Sequence, residues 1–287
     1  MNDIKKLSQI IMYVDKRICN EDICIFSTNV LTKKEDIRFT YLDYYDDFII
    51  NSYKQSDEIL FITDSFEMAE KVHGLGIAVA ALINDFNNKK GYPSVPYCIE
   101  DIKNISYEDV ERIWKRYRQI PWLITKTDRL TIREQTLDDI EDIYNMYADE
   151  TTTAYMDKLY DDIEEEKEYM RDYIAHQYPF YEYGIWTLID KCTGEYVGRA
   201  GLSIREGYED VELGYAITKA YRNKGYAKEA IKAIIKYAKD ELYITRLIAF
   251  VRPQNLISIK ILEDMGFIKV NTLLFDGITH IMYSFDL

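Results

Sequence analysis

Six residues, Arg222-Asn223-Lys224-Gly225-Tyr226-Ala227, sit between an apolar run and an amphipathic one. The run before them, Val211 to Ile217, has the character of a buried strand. After them, Lys228 to Leu242 places Ala230, Ile231, Ile234, Ile235 and Ala238 at helical spacing. A strand that feeds a small, basic, glycine-bearing loop opening a helix aims unpaired backbone N–H groups at one spot, where the helix dipole also favours negative charge. The chemistry such a loop offers is anion binding, and a pyrophosphate suits it.

Two flanking patterns add to the loop: Glu212-Leu213-Gly214-Tyr215 before it, and Asn255-x-x-Ser258 running to Met265-Gly266-Phe267 after it. With Arg222-x-x-Gly225-x-Ala227 matching (Arg/Gln)-x-x-Gly-x-(Gly/Ala), the chain from about residue 129 to 287 resembles the GCN5-related N-acetyltransferases (the GNAT superfamily), in the branch holding ribosomal-protein alanine acetyltransferases. The resemblance implies an acyltransferase with acetyl-CoA as co-substrate and no metal. It would move the acetyl group to a primary amine (a protein N-terminus, a peptide or a small amine) by direct transfer in a ternary complex. It also implies roles. Amides of Arg222, Asn223, Lys224, Gly225, Tyr226 and Ala227 would hold the pyrophosphate, since Gly225 and Ala227 let backbone approach closely. Backbone between Leu213 and Ile217 would line the thioester and supply an oxyanion donor. Asn255 and Ser258 would contact the CoA arm, although a helix cap also accounts for Asn255.

Glu212, one residue before the thioester segment, is the candidate general base, against the plainer alternative of an outward-facing strand glutamate. Many family members protonate the thiolate with a tyrosine on the last helix, but that position here is Leu262. The acid is therefore open, with Ser258 or water as options. His73, His176 and His280 have no neighbouring nucleophile and receive no role.

The elements that must position these groups follow from pattern. Leu130 to Glu134 alternates as a strand, and Thr136 caps a helix to Tyr147. A second helix runs from Asp161 to His176 with an acidic first turn. Phe180-Tyr181-Glu182-Tyr183 either lines an acceptor pocket or packs in the core. Strands from Gly184 to Asp190 and from Glu195 to Ile204 flank the hairpin signal Lys191-Cys192-Thr193-Gly194. Arg246–Arg252 is the next strand, Leu256–Met265 a helix, and two final strands meet at Asp276-Gly277.

The first part of the chain has its own pattern. Ile4, Leu7, Ile10, Ile11 and Val14 fit a helix over residues 3–18, and Ile23–Phe26 and Ile37–Tyr41 read as short strands or loop. Glu58–Thr63 is a strand, Phe66–His73 a helix and Ile77–Ile83 a strand, an order that implies a parallel pair with a crossover helix. Gly74-x-Gly76 follows a helix, the reverse of a dinucleotide fingerprint, and reads as a helix stop. Lys89–Pro93 is a turn, and Val95–Ile99 a short strand. Ser106 caps a further helix that Pro121 stops. The segment around Phe61–Ser65 is faintly similar to haloacid-dehalogenase-like phosphatases but lacks their Asp-x-Asp pair. The expected fold class is α/β: a C-terminal GNAT fold, with a mixed, mostly antiparallel central sheet flanked by helices, behind a smaller N-terminal α/β domain containing a parallel strand–helix–strand unit. The boundaries are residues 1–121 for the accessory domain, 122–128 for a linker and 129–287 for the acetyltransferase domain.

Composition narrows the rest. With 47% hydrophobic and 30% charged residues the chain reads as a globular protein, and 287 residues suffice for one large domain or for two, the division expected here. A formal charge of −14 disfavours nucleic acid as a partner and suits a cationic amine acceptor, or serves solubility alone. No run is long and apolar enough for a membrane span, and Met1–Lys6 lacks a signal-peptide core. Cys19, Cys24, Cys98 and Cys192 have no metal-ligand spacing and read as reduced thiols in a cytoplasm. The rival function is a non-catalytic acetyl-CoA-binding module whose first domain contacts partners, with a phosphate-handling first domain a third option. The oligomeric state and the role of residues 1–121 have no sequence signal.

Overall fold

The computed structural model describes residues 6–15, 17–18, 20–32, 36–44, 50–54, 56–87, 91–92, 94–156, 158–275 and 277–287. Cys19, Asp276, and Lys89, Lys90 and Pro93 of the expected turn lie outside the described residues. The chain divides into two compact units, residues 1–120 and 121–287.

The first unit is a parallel five-stranded sheet. Its elements in chain order are β1 (Gln9–Val14), α1 (Asn20–Leu31), β2 (Arg38–Asp43), β3 (Ile59–Thr63), α2 (Phe66–Gly74), β4 (Ala78–Leu82), β5 (Cys98–Ile99) and α3 (Tyr107–Tyr117). The strand order is β2-β1-β3-β4-β5, a doubly wound arrangement. Two expectations fail here. Residues 9–14 form a central strand rather than part of a helix, because Ile10, Ile11, Met12 and Val14 are all wholly buried, as a strand covered on both faces requires. Residues 23–26 lie in α1, which turns Ile23, Phe26 and Val30 onto the core at helical spacing. β3 and β4 are buried at every position, the continuous apolar signature of parallel strands. Gly76, at φ 76°, follows α2. Ser106 and Asp109 form a reciprocal capping box at the start of α3.

The second unit is built on an eight-stranded sheet. Its elements are β6 (Leu123–Lys126), β7 (Leu130–Glu134), α4 (Ile140–Tyr147), the short α5 (Glu150–Thr153), α6 (Ile163–Tyr181), β8 (Ile185–Asp190), β9 (Tyr196–Ser203), β10 (Val211–Ile217), α7 (Tyr226–Asp240), β11 (Arg246–Val251), α8 (Leu256–Asp264), β12 (Ile268–Phe275) and β13 (Ile278–Asp286). The order is β12-β13-β11-β10-β9-β8-β7-β6, and every pairing is antiparallel except β10 with β11. Residues 123–126, expected as linker, are the strand β6, which pairs with β7 and puts Ile124 into the core. One core packs Ala230, Ile231 and Ile234 of α7 and Leu262 of α8 against the sheet, and another packs α4 and Met170 of α6 against Tyr196 and Ala216.

Helix α6 runs five residues past its expected end, with Pro179 in its last turn. Tyr178 accounts for the extension: it is fully buried, and its hydroxyl donates to the Ile185 carbonyl and accepts from the Gln135 amide. Among the described residues no helix is long and apolar enough to cross a membrane, and no group of acidic, His or Cys side chains could hold a metal. Cys24, Cys98 and Cys192 are exposed and unpaired.

Candidate active site

The loop between β10 and α7 has the geometry an anion needs. Asn223 and Gly225 both take left-handed backbone, at φ 58° and 84°, so the chain turns sharply into α7. Gly225 is the N-cap and supplies no side-chain oxygen, which leaves the first amides of this 15-residue helix without a cap. The loop is pinned from behind. Arg129 donates to the Lys224 carbonyl at 2.8 Å, and Glu229 accepts from the Arg129 amide at 2.9 Å and from Arg129 Nε at 2.7 Å.

β10 and β11 run parallel but share only two register positions, Val211 with Leu247 and Glu212 with Ile248. Beyond Glu212 the strands part, while β10 stays paired with β9 up to Ile217. The gap opens into a cavity of about 1100 Å³ bounded by β10, β11, the loop and the start of α8. Every expected site residue borders this cavity except Lys224, whose ammonium lies over the Tyr221 ring. Asn255 accepts from the Ser258 amide at 3.2 Å, so it caps α8 while facing the cavity. Leu262 is wholly buried in the core and offers no proton.

Arg222 is not aimed freely into the cavity. Its Nε donates to the Ile217 carbonyl at 3.0 Å, Nη1 to Thr151 Oγ1 at 2.7 Å, and Nη2 to Thr152, with Asp149 Oδ2 at 3.2 Å. On the far side of the gap, Arg252 donates to the Ala154 carbonyl at 3.0 Å, and Tyr155 to that of Gln254. Residues 149–155 are thereby tied to both banks of the cleft. Hydrogen bonds from Thr151 and Thr152, with the charges of Arg222 and Lys219 nearby, bring the Asp149 carboxyl down to about 2.

Glu212 is paired. Both its oxygens accept from Arg205, at 2.7 and 3.0 Å, and the guanidinium also lies over the rings of Phe250 and Phe275. Each carboxylate oxygen keeps a second lone pair, so Glu212 can accept a further hydrogen bond from the cavity side. Tyr215 also borders the cavity, with its hydroxyl 3.4 Å from the Ser258 carbonyl, and burial pushes its pKa up to about 12. His280, given no role from sequence, lies on the cavity wall beside Phe275.

Sequence reasoning overlooked Tyr147, Arg199, Arg205 and residues 149–155, which reach the site only through the fold. Tyr215 stood inside a quoted motif without a role. Phe180, Tyr181 and Tyr183 do not line the cavity, and Phe180 is 77% exposed. In the first unit, Asp64 at the end of β3 accepts from the Asp15 amide, the Tyr44 hydroxyl and Asn84 Nδ2. That carboxylate is the hub of a local hydrogen-bond network.

Comparison with known proteins matches this geometry. Residues 129–268 fit the family profile described as an acetyltransferase (GNAT) domain. The chain is 30% identical over 145 residues to the uncharacterized N-acetyltransferase p20 of Bacillus licheniformis, which spans 50% of this chain and 81% of the relative. It is 29% identical over 153 residues to the uncharacterized N-acetyltransferase YoaA of Bacillus subtilis (strain 168), covering 52% and 85% of the two chains. A solved structure of a putative ribosomal-protein-serine acetyltransferase from Vibrio cholerae shares the fold, with a TM-score of 0.50 and 21% identity over 58% of this chain and 98% of that one. The matched domain opens at Arg129, which pins the α7 loop from behind, and takes in both banks of the cleft. Through it the chain belongs to the GNAT family of N-acetyltransferases.

Proposed function

We propose that residues 121–287 transfer an acetyl group from acetyl-CoA directly to a primary amine, both substrates being held at once. The parting of β10 from β11 after only two register positions, above a helix start with no side-chain cap, carries this reading. The cleft offers an unpaired strand edge to an extended ligand arm and orphan amides to its pyrophosphate. Arg222, tied to α5, holds the loop in shape rather than serving as a lone counter-charge.

In the reaction the amine nitrogen bonds to the thioester carbonyl carbon, the C–S bond breaks, and the amine loses one proton while the thiolate gains one. Holding both reactants in the gap supplies much of the rate. Backbone amides of Leu213–Ile217 are the donors for the developing oxyanion. Glu212 receives the amine proton through water, with Arg205 fixing its carboxylate. Tyr215, whose high pKa keeps it protonated at neutral pH, is the donor to the thiolate.

The experiment is calorimetry with acetyl-CoA, followed by thiol release in the presence of amines. Binding with turnover supports the proposal. Binding without turnover on any amine leaves the non-catalytic module, and no binding removes both.

A further inference from the structure

A second cavity, of about 520 Å³, lies beneath α6 and meets the larger one at Tyr147, Ile185 and Arg199. Its charged lining is Lys158, Glu166 and Arg199, with Tyr160, Tyr169 and Tyr173 as aromatic walls. Glu166 already uses Oε2 to accept from the Tyr160 amide at 3.0 Å.

Arg199 differs from two other arginines that border the larger cavity. Arg205 is paired with Glu212, and Arg222 with Asp149. Among the described residues Arg199 has no carboxylate within ion-pair distance; its guanidinium stands over the Tyr147 ring and donates to that hydroxyl through Nη2. The guanidinium fork carries five N–H donors in one plane, a match for the two oxygens of a carboxylate. With no counter-ion among the described residues, this half-buried cation is suited to an anion brought with the ligand.

Its position relates that anion to the reaction. Arg199 pairs with Ala216 across β9 and β10, and Ser203 pairs with Glu212 four residues along. Alternation puts Arg199 and Glu212 on the same sheet face, ~13 Å apart along the strand. Between them lies the facing pair Gly201–Gly214, which adds no side chains to that face. A ligand on this floor has Arg199 at one end and the proposed proton acceptor at the other.

We infer that the acceptor is a small primary amine carrying a carboxylate, with Arg199 reading the carboxylate and the 520 Å³ cavity holding the rest of the molecule. Arg199 is then a specificity-determining residue, and the acceptor is not the purely cationic amine that the net charge of −14 suits. The inference rests on the acetyl-transfer reading above.

The test uses the full chain, acetyl-CoA and three sets of acceptors: amino acids with the amine on the α-carbon or at the end of a longer chain, their carboxamides, and spermidine. The wild type is expected to use at least one amino acid with a kcat/KM roughly tenfold or more above its carboxamide, the scale of one charge-assisted hydrogen-bonded pair. Arg199→Met should raise KM for that amino acid and bring the acid-to-amide ratio to about one, and Arg199→Lys should restore part of it. Carboxamides or spermidine used as well as the acids, or no use of any acid, overturns the inference. So does an Arg199→Met protein that keeps its selectivity but loses acetyl-CoA affinity, since the guanidinium would then serve the co-substrate. A wild-type protein that binds no acetyl-CoA would sink the underlying reading instead, and calorimetry separates the two failures.

Discussion

Arg205 and Glu212 meet along both carboxylate oxygens, at 2.7 and 3.0 Å, at the last position where β10 is still in register with β11. The carboxylate is fixed in place next to the point where the cleft opens. Replacing Glu212 by Gln keeps its size and removes its basicity. Acetyl-CoA affinity is expected to persist while turnover falls by ~10²–10⁴-fold, the usual worth of a general base. Raising the pH should recover part of the loss, because more amine arrives neutral. Equal pH–rate profiles for wild type and Glu212→Gln would make the residue an ordinary partner of Arg205.

Tyr215→Phe removes the hydroxyl proposed to protonate the thiolate. The expected result is a kcat lower by at least about tenfold with KM for acetyl-CoA little changed, since the interaction is made only as the bond breaks. An unchanged kcat would assign that proton to water.

Gly225 holds φ at 84°, and an added Cβ would lie 3.5 Å from Arg129 Nη2, so space is available but the backbone is not. Gly225→Val forces a β-branched residue into left-handed backbone at a cost of about 1–3 kcal/mol. The helix start is expected to re-form out of line with its ligand, raising the Kd for acetyl-CoA more than tenfold. Calorimetry on a folded variant with native affinity would refute the amide cradle.

Gly201 lies so close to the start of β8 that an added Cβ would stand 2.1 Å from the Gly184 carbonyl oxygen. Backbone cannot give way as a side chain can. Gly201→Ala should cost about 3 kcal/mol, the upper range for overpacking, measured as a drop in the midpoint of chemical denaturation. A midpoint equal to wild type would show that β8 and β9 separate freely.

Asp149, at about 2 in the folded protein against the ordinary aspartate value near 4, stabilises the fold fully above that ordinary value. Its contribution falls away as pH drops from about 4 through 2. Asp149→Asn should therefore be less stable than wild type by a constant margin above pH 5, with the two curves converging near pH 2. Convergence at neutral pH would mean that Thr151, Thr152 and Arg222 hold residues 149–155 without it.

Local pattern was enough for much of the second unit. The turn Lys191–Gly194, the apolar stripe of α7 and the cap at Asn255 each depend on a few adjacent residues, and each lies where its pattern indicates. Residues 9–14 were harder, because five consecutive apolar residues fit a buried strand and a buried helix alike. Only pairing on both sides, with β2 and β3, decides between them. The short β6 looked like a linker because one buried residue, Ile124, gives no period to detect. At the site, the loop was visible because strand, glycine and helix are contiguous. The threonine partners of Arg222 lie 70 residues or more away, and Arg199 meets Tyr147 across 52, so no spacing in the chain announces either.

With only two rungs joining β10 to β11, the sheet of the second unit is two half-sheets joined at Val211 and Glu212. On the proposed reading, the missing rungs are supplied by the co-substrate's own arm, so acetyl-CoA is a structural member as well as a reactant. Mass action then adds about 2.7 kcal/mol of stability when acetyl-CoA stands at one hundred times its dissociation constant, and nothing when it is exhausted. The backbone amides from Leu213 to Ile217 would record the difference as hydrogen-exchange protection that rises and falls with the supply of acetyl groups, and the lifetime of this protein in the cell would follow the same supply.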